Sequence, residues 1–143
     1  LLRDKVCKAV FLLKLIPGTN PEILDMLSAM KYRGIVIETF GLGGLQFVRR
    51  SLLPKLKMLT DSGISVVACS QCLYEASDFS VYEAGRKLLD CGIISGGDMT
   101  TEAAVTKLMW ALGQTDDPAE IRNIFRKNYA GEIDVSSGCN RCE

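Results

Sequence analysis

The sequence predicts an α/β domain: a three-layer αβα sandwich around a parallel sheet of about four strands. Two observations carry that expectation. Short β-branched or continuously apolar runs alternate with amphipathic stretches of about 10–15 residues, the pattern of βαβ units. Glycine, proline and capping residues punctuate nearly every junction between them. At 143 residues the chain is long enough for one domain with its own core and hardly for two.

Residues 10–15 form an apolar run broken only by Lys14 and stopped by Pro17-Gly18. Such a run suits a strand buried on both faces. Asn20 stands where an N-cap belongs and Pro21 at the first helical position, and Ile23, Leu24, Leu27 and Met30 recur at helical spacing. Residues 34–38 make a second, β-branched strand that runs into Gly41-Leu42-Gly43-Gly44. Leu52, Leu53, Leu56 and Leu59 then share one helical face, in which Pro54 must lie either in the first turn or at a kink, and Gly63 reads as the stop.

Residues 64–69 are a third strand. Ser80-Val81-Tyr82-Glu83 reads as a capping box, and Val81, Ala84, Gly85, Leu88 and Leu89 continue it as an amphipathic helix. Residues 92–95 are a short fourth strand ending in Gly96-Gly97. A helix opening at residues 98–101 is expected to bury Ala104, Val105, Leu108, Met109 and Leu112 and to end at Gly113. Asp117, Pro118 and Glu120 start a last helix that buries Ile121, Ile124 and Phe125. It carries Arg126 and Lys127 in its final turn and stops near Gly131. The domain is therefore expected to span residues 1–131, with 132–143 a loose tail. Right-handed crossovers give a Rossmann- or flavodoxin-like layering. The functional edge of such a sheet lies at the strand C-termini, which places chemistry in the turns at 17–20, 39–46, 70–80 and 95–101.

Composition excludes several classes of function. There is no histidine, so neither a Ser-His-Asp nor a Cys-His nucleophile can be assembled within the chain, nor a His-ligated metal site. Lys plus Arg and Asp plus Glu are 17 each, a net charge of zero with no basic run to offer nucleic acid. The longest apolar run, residues 9–13, falls far short of the roughly 20 residues of a membrane span. The first residue is Leu1, which leads us to expect a piece of a longer chain. Six cysteines without a signal peptide point to free thiols in a reducing cytoplasm.

Each candidate site has a plainer counterpart. Residues 39–44 form a glycine-rich turn into a helix, but Gly-x-Gly-Gly is not a nucleotide fingerprint, and a tight strand-to-helix turn explains it. Cys69-Ser70-Gln71-Cys72 is spaced like a redox pair, and with Cys139 and Cys142 like a four-cysteine zinc site. The next helix starts too far on to lower a thiol pKa, and the second pair lies in the expected tail, so Cys69 reads better as a small buried apolar residue. Glu83 suits a substrate amine but also completes the capping box. Thr100 and Thr101 are hydroxyl candidates better explained by helix capping.

The order of the motifs says more. From about residue 10 to 132 the chain resembles the C-terminal domain of type I (cytosolic) L-asparaginases. The likeness is carried by Lys14-Leu15-Ile16-Pro17-Gly18, by the run from Gly34 through Glu38 and Thr39 to Gly44, and by Ser70-Gln71-Cys72. It continues in Val81-Tyr82-Glu83-Ala84-Gly85, in the stretch from Gly97-Asp98 to Lys107-Leu108, and in Gly131-Glu132. The blocks fall in family order and at family spacing.

The resemblance implies a cofactor-free hydrolysis of L-asparagine to L-aspartate and ammonia through a threonine nucleophile. That nucleophile belongs to a larger N-terminal domain whose Thr-Gly-Gly-Thr and Gly-Thr-Asp-Thr motifs are absent from these 143 residues. The chain alone is therefore expected to be inactive. It would supply dimer or tetramer contacts and complete a neighbouring subunit's site, through Gln46, Tyr82 and Glu83. Positions matching the family's allosteric asparagine site are Glu38, Gly44 and Cys72. Glu38 stands where the regulated form has an arginine and Gly44 where it has an asparagine, so weak or no effector binding is expected. A related amidotransferase subunit, a non-catalytic dimerisation or ligand-binding module, and a cysteine-based metal-binding module are the alternatives.

Overall fold

The computed structural model describes residues 3–40, 51–71 and 83–134, with Glu83 and Ala84 described by backbone alone. Within them lie β1 (Val10–Lys14), α1 (Glu22–Ala29), β2 (Gly34–Thr39), α2 (Leu53–Asp61), β3 (Ser65–Ser70), α3 (Glu83–Asp90), β4 (Ile94–Ser95), α4 (Thr101–Gln114) and α5 (Pro118–Phe125). The four strands form one parallel sheet in the order β1-β2-β3-β4. The α/β class and the three layers are as expected. The strand order is sequential, without the reversal that marks the switch point of doubly wound sheets.

The period of two along the central strands builds both cores. Ile35, Ile37, Val66 and Ala68 face α1, α2 and α3 with Leu24, Leu27, Leu56 and Leu88. Val36, Val67 and Cys69 face the other way, onto Leu108, Ala111 and Leu112 of α4 and Ile121 and Phe125 of α5. β1 departs from expectation. Among the described residues it is one of the two edge strands of the sheet, and Leu12 is 44% exposed, so it is not buried on both faces. Leu89, expected on the buried side of α3, is 40% exposed, whereas Leu88 beside it is buried.

Local signals set most helix ends. Asn20 Oδ1 accepts the Glu22 N–H, and Pro21, already in the αR region, leads into α1. Pro54 lies in the first turn of α2, and Gly63 ends that helix at φ +89° while Ile64 N–H closes back on Leu59 C=O. Asp117 accepts the Ala119 N–H at the start of α5.

Two boundaries are corrected. α4 runs through Gly113 to Gln114, because that glycine is a packing contact rather than a stop: a Cβ there would lie 2.2 Å from Lys5 O. α5 ends at Phe125, well before Gly131. In a continuing helix Phe125 C=O would accept the Tyr129 N–H. Instead Lys107 Nζ approaches Phe125 O at 3.4 Å and Lys127 O at 2.6 Å. The Tyr129 and Ala130 N–H groups turn to the Glu132 carboxylate.

Lys107, with a side chain only 5% exposed, is thus buried on the apolar side of α4 and paired with Glu132 at 2.6 Å. The rings of Phe125 and Tyr129 lie 5.6 and 5.5 Å from its ammonium. Ile133 packs on the second core and Asp134 N–H bonds Asp98. Residues 132–134 are therefore anchored, and a loose tail does not start at 132. No helix among the described residues is long and apolar enough to cross a membrane.

Burial pushes the Glu132 carboxyl up, but Lys107 and the surrounding N–H donors outweigh it and bring it down from 4.5 to about 2. A lowered folded-state value means stability that is full above the ordinary carboxylate range and lost as pH falls towards 2. Glu132→Gln is expected to destabilise the neutral-pH protein by about 3 kcal/mol, because Lys107 is left buried without its counter-ion. The gap to wild type should shrink as pH falls through that window. Denaturant unfolding across pH checks both; a constant gap would remove the pair from the account.

Candidate functional site

Parallel pairing brings every strand's C-terminal end to one edge, and the register fixes what meets there. Lys14, Glu38 and Cys69 stand opposite one another on β1, β2 and β3. All three belong to the α4 side of the sheet by the same alternation that buries Val36 and Val67. Glu38 is therefore aimed at the start of α4. Its Oε2 lies 3.3 Å from Lys14 Nζ, and its Oε1 accepts from Thr101 Oγ1 at 2.7 Å.

The neighbouring strand ends are tied by hydrogen bonds. Thr39, fully buried, donates its hydroxyl to Cys69 O at 3.0 Å. Gln71 N–H bonds Thr39 O, and Gln71 Nε2 reaches both Leu15 O at 2.9 Å and Glu38 O at 3.2 Å. One side chain so joins the ends of β1, β2 and β3. In the turn after β1, Thr19 Oγ1 donates to Ile16 O and accepts from Ile16 N–H. After β4, Gly96 N–H bonds Ala68 O and Gly97 N–H bonds Ser95 Oγ.

The expected site residues divide accordingly. Glu38 lies in the polar edge just described. Glu83 is the first residue of α3, and its side chain is outside the described residues. Gln46, Tyr82, Gly44 and Cys72 lie outside them, as do Ser80, the turn at 41–44, Cys139 and Cys142. Thr100 is the N-cap of α4 and accepts the Ala103 N–H. Thr101 does not cap; its hydroxyl goes to Glu38. Among the described residues that hydroxyl–carboxylate contact is the nearest thing to a nucleophile–base pair at this edge, and the other carboxylate oxygen is paired with Lys14.

No group of three or more His, Cys, Asp or Glu suited to a metal occurs among the described residues. Cys7, Cys69 and Cys91 are free. Cys69 is fully buried, and burial first, with the nearby Glu38 charge second, pushes its thiol up to about 12. It serves as a small apolar core residue, as the sequence suggested. Sequence reasoning missed the bonds made by Gln71 and Thr101. The one available signal was Lys14 and Glu38, single opposite charges each closing an apolar strand.

The comparisons with known proteins agree with this geometry. Residues 9–125 match the family model described as the Glutaminase/Asparaginase C-terminal domain. The chain is 45% identical over 130 residues to a Glutamyl-tRNA(Gln) amidotransferase subunit of Pyrococcus furiosus, covering 91% of this chain and 29% of that protein. It is 46% identical over 121 residues to an L-asparaginase of Thermococcus kodakarensis, covering 85% and 36%. The solved structure of the thermostable L-asparaginase from Thermococcus kodakarensis superposes with a TM-score of 0.85 at 44% identity, over 91% of this chain and 39% of that one. The chain thus spans about a third of the length of these relatives.

Cys69 should resist alkylation in the folded protein and react only on unfolding, because its thiolate fraction is minimal and its sulfur is out of solvent. Peptide mapping after iodoacetamide treatment with and without denaturant checks this; native-state labelling of Cys69 at the rate of a free thiol would contradict it.

Proposed function

We propose that this chain, which belongs to the glutaminase/asparaginase C-terminal domain family, is the C-terminal part of an amidohydrolase that converts L-asparagine to L-aspartate and ammonia. The observation that carries the reading is the family match over residues 9–125. The parallel sheet supports it by bringing Glu38 and Gln71 together at one edge.

In this reading the threonine nucleophile and its activating groups lie upstream, no cofactor is needed, and this domain contributes binding. Gln46, Tyr82 and Glu83 approach the active site of a neighbouring subunit in a homodimer or tetramer. An acid there pairs with the substrate's α-ammonium, a charge-assisted contact stronger than a neutral one. Opening α3 favours Glu83 for this role, since a helix N-terminus favours a carboxylate. The free thiols of Cys7, Cys69 and Cys91 support a reducing cytoplasm.

Glu38, Gly44 and Cys72 are not, in this reading, a working effector site. Lys14 and Thr101 already occupy the Glu38 carboxylate, and an arriving effector carboxylate would meet an anion where an arginine clamp is wanted. Isothermal titration of the longer protein with asparagine is expected to show one class of site; two distinct classes would contradict it.

A second reading is an amidotransferase subunit that releases ammonia for transfer rather than to solution. The 45% identity to the amidotransferase subunit favours it. Both readings begin with hydrolysis of a side-chain amide, so an assay of the longer protein on asparagine and glutamine, with and without an acceptor, separates them. The present chain alone should be inactive. In the longer protein Glu83→Gln is expected to raise KM about tenfold, the loss of one charge-assisted contact. An unchanged KM would remove Glu83 from substrate binding.

A further inference from the structure

The last two turns of α4 hold a further interaction, at the margin of the second core that Trp110 and Cys7 border. Arg3, Asp4, Lys5 and Val6 belong to no helix or strand and are exposed, yet their backbone is fastened. Trp110 Nε1 donates to Arg3 O at 2.9 Å, Gln114 Nε2 donates to Lys5 O at 2.7 Å, and Cys7 N–H donates to Met109 O at 2.8 Å. Trp110, Gly113 and Gln114 are three and four apart and so share one helix face. Between the two donors, Gly113 leaves a notch into which the segment sinks. A Cβ there would stand 2.2 Å from Lys5 O, 2.5 Å from Lys5 C and 2.8 Å from Val6 N. These are backbone atoms that no rotamer change can move aside. Gly113 is the last but one residue of α4, still helical, and its place there is set by this close approach.

We propose that this face is a seat for the segment that enters the domain, and that Gly113 and Trp110 are positioning residues which hold the upstream part of the protein in register with the sheet edge. The seat stands on the contacts of Trp110, Gly113 and Gln114; the register it serves rests on the amidohydrolase reading. α4 is one rigid body about 20 Å long. Its first residue bonds Glu38 at the functional edge, and its last two turns carry the entering segment. The upstream part is thereby fixed to the element that also fixes the edge. In a symmetric oligomer whose sites are completed across subunits, the placement of each chain's two parts sets both shared sites, and misplacement of about 1 Å is enough to weaken binding there.

The test uses Gly113→Ala and Trp110→Phe, the second keeping a ring beside Tyr129 but deleting the donor to Arg3. Hydrogen exchange in the longer protein should show the Cys7 amide exchanging about tenfold faster in both variants, with the core amides of Val36 and Val67 unchanged. KM for asparagine should rise about tenfold with kcat within about twofold, since the nucleophile lies upstream and this domain supplies binding. A Gly113→Ala protein that is more thermostable, as helix propensity alone demands, with Cys7 still protected, overturns the seat. A released Cys7 amide with unchanged KM overturns the positioning role. If Gly113→Ala fails to fold, Trp110→Phe decides between these outcomes. A wild-type protein that hydrolyses neither asparagine nor glutamine defeats the functional reading and the positioning role with it, while the exchange data still decide the seat.

Discussion

The structure depends on α4 lying across the second face of the sheet. Strands added in one direction with one crossover hand stack their connecting helices on the same side, and α1, α2 and α3 share that side here. The opposite face, with Val36, Val67 and Cys69, would be open to water without the helix that comes after the last described strand. Ala104, Leu108 and Ala111 close it completely. Burying a leucine of this kind contributes about 1.5–3 kcal/mol. From that central contact α4 extends in both directions: Thr101 at its start reaches Glu38, Lys107 in its middle gathers the chain after α5, and Gly113 near its end receives the segment before β1.

Much of this was legible because the deciding interactions are local. Alternation along residues 34–38 fixes both faces of β2, and capping residues fix the starts of α1, α4 and α5. The misreadings share one cause. The run that made β1 look doubly buried is as apolar as β2, but whether a strand is central or at the edge depends on strand order, which no local pattern encodes. Gly113 carries the composition of a helix stop, and only the path of residues 3–7 makes it a contact. α5 keeps helix-forming residues beyond Phe125, yet its last carbonyls find a better partner in an ammonium from α4, 18 and 20 residues away in sequence.

The candidate site was legible as a place before it was legible as chemistry. Parallel pairing sends the turns after β1, β2, β3 and β4 to one edge, and that is a consequence of the βαβ pattern alone. Which side chains converge needs the register. Lys14 opposite Glu38 opposite Cys69 results from three strand starts at Val10, Gly34 and Ser65, and a shift of one residue would turn Glu38 towards the opposite core. The register therefore makes the edge polar on the α4 side. Gln71 then locks it, since its amide can bond two carbonyls from two strands only while they remain aligned.

The described part of the edge is tied in a way that suits it to holding a surface in place. The Thr39 hydroxyl is bonded to Cys69 O, the Thr101 hydroxyl to Glu38, and the described thiol, Cys69, is buried. Chemistry supplied from elsewhere would need from this domain a fixed surface of known polarity. Under the proposed reading that demand is the same whether the ammonia set free from an amide is released or passed to an acceptor. It fits the near-equal identity to an amidotransferase subunit and to an asparaginase, 45% and 46%. In that reading the geometry built by β1–β4 and α4 serves binding, which both alternatives share, and the residues that separate them should be sought where the ammonia leaves.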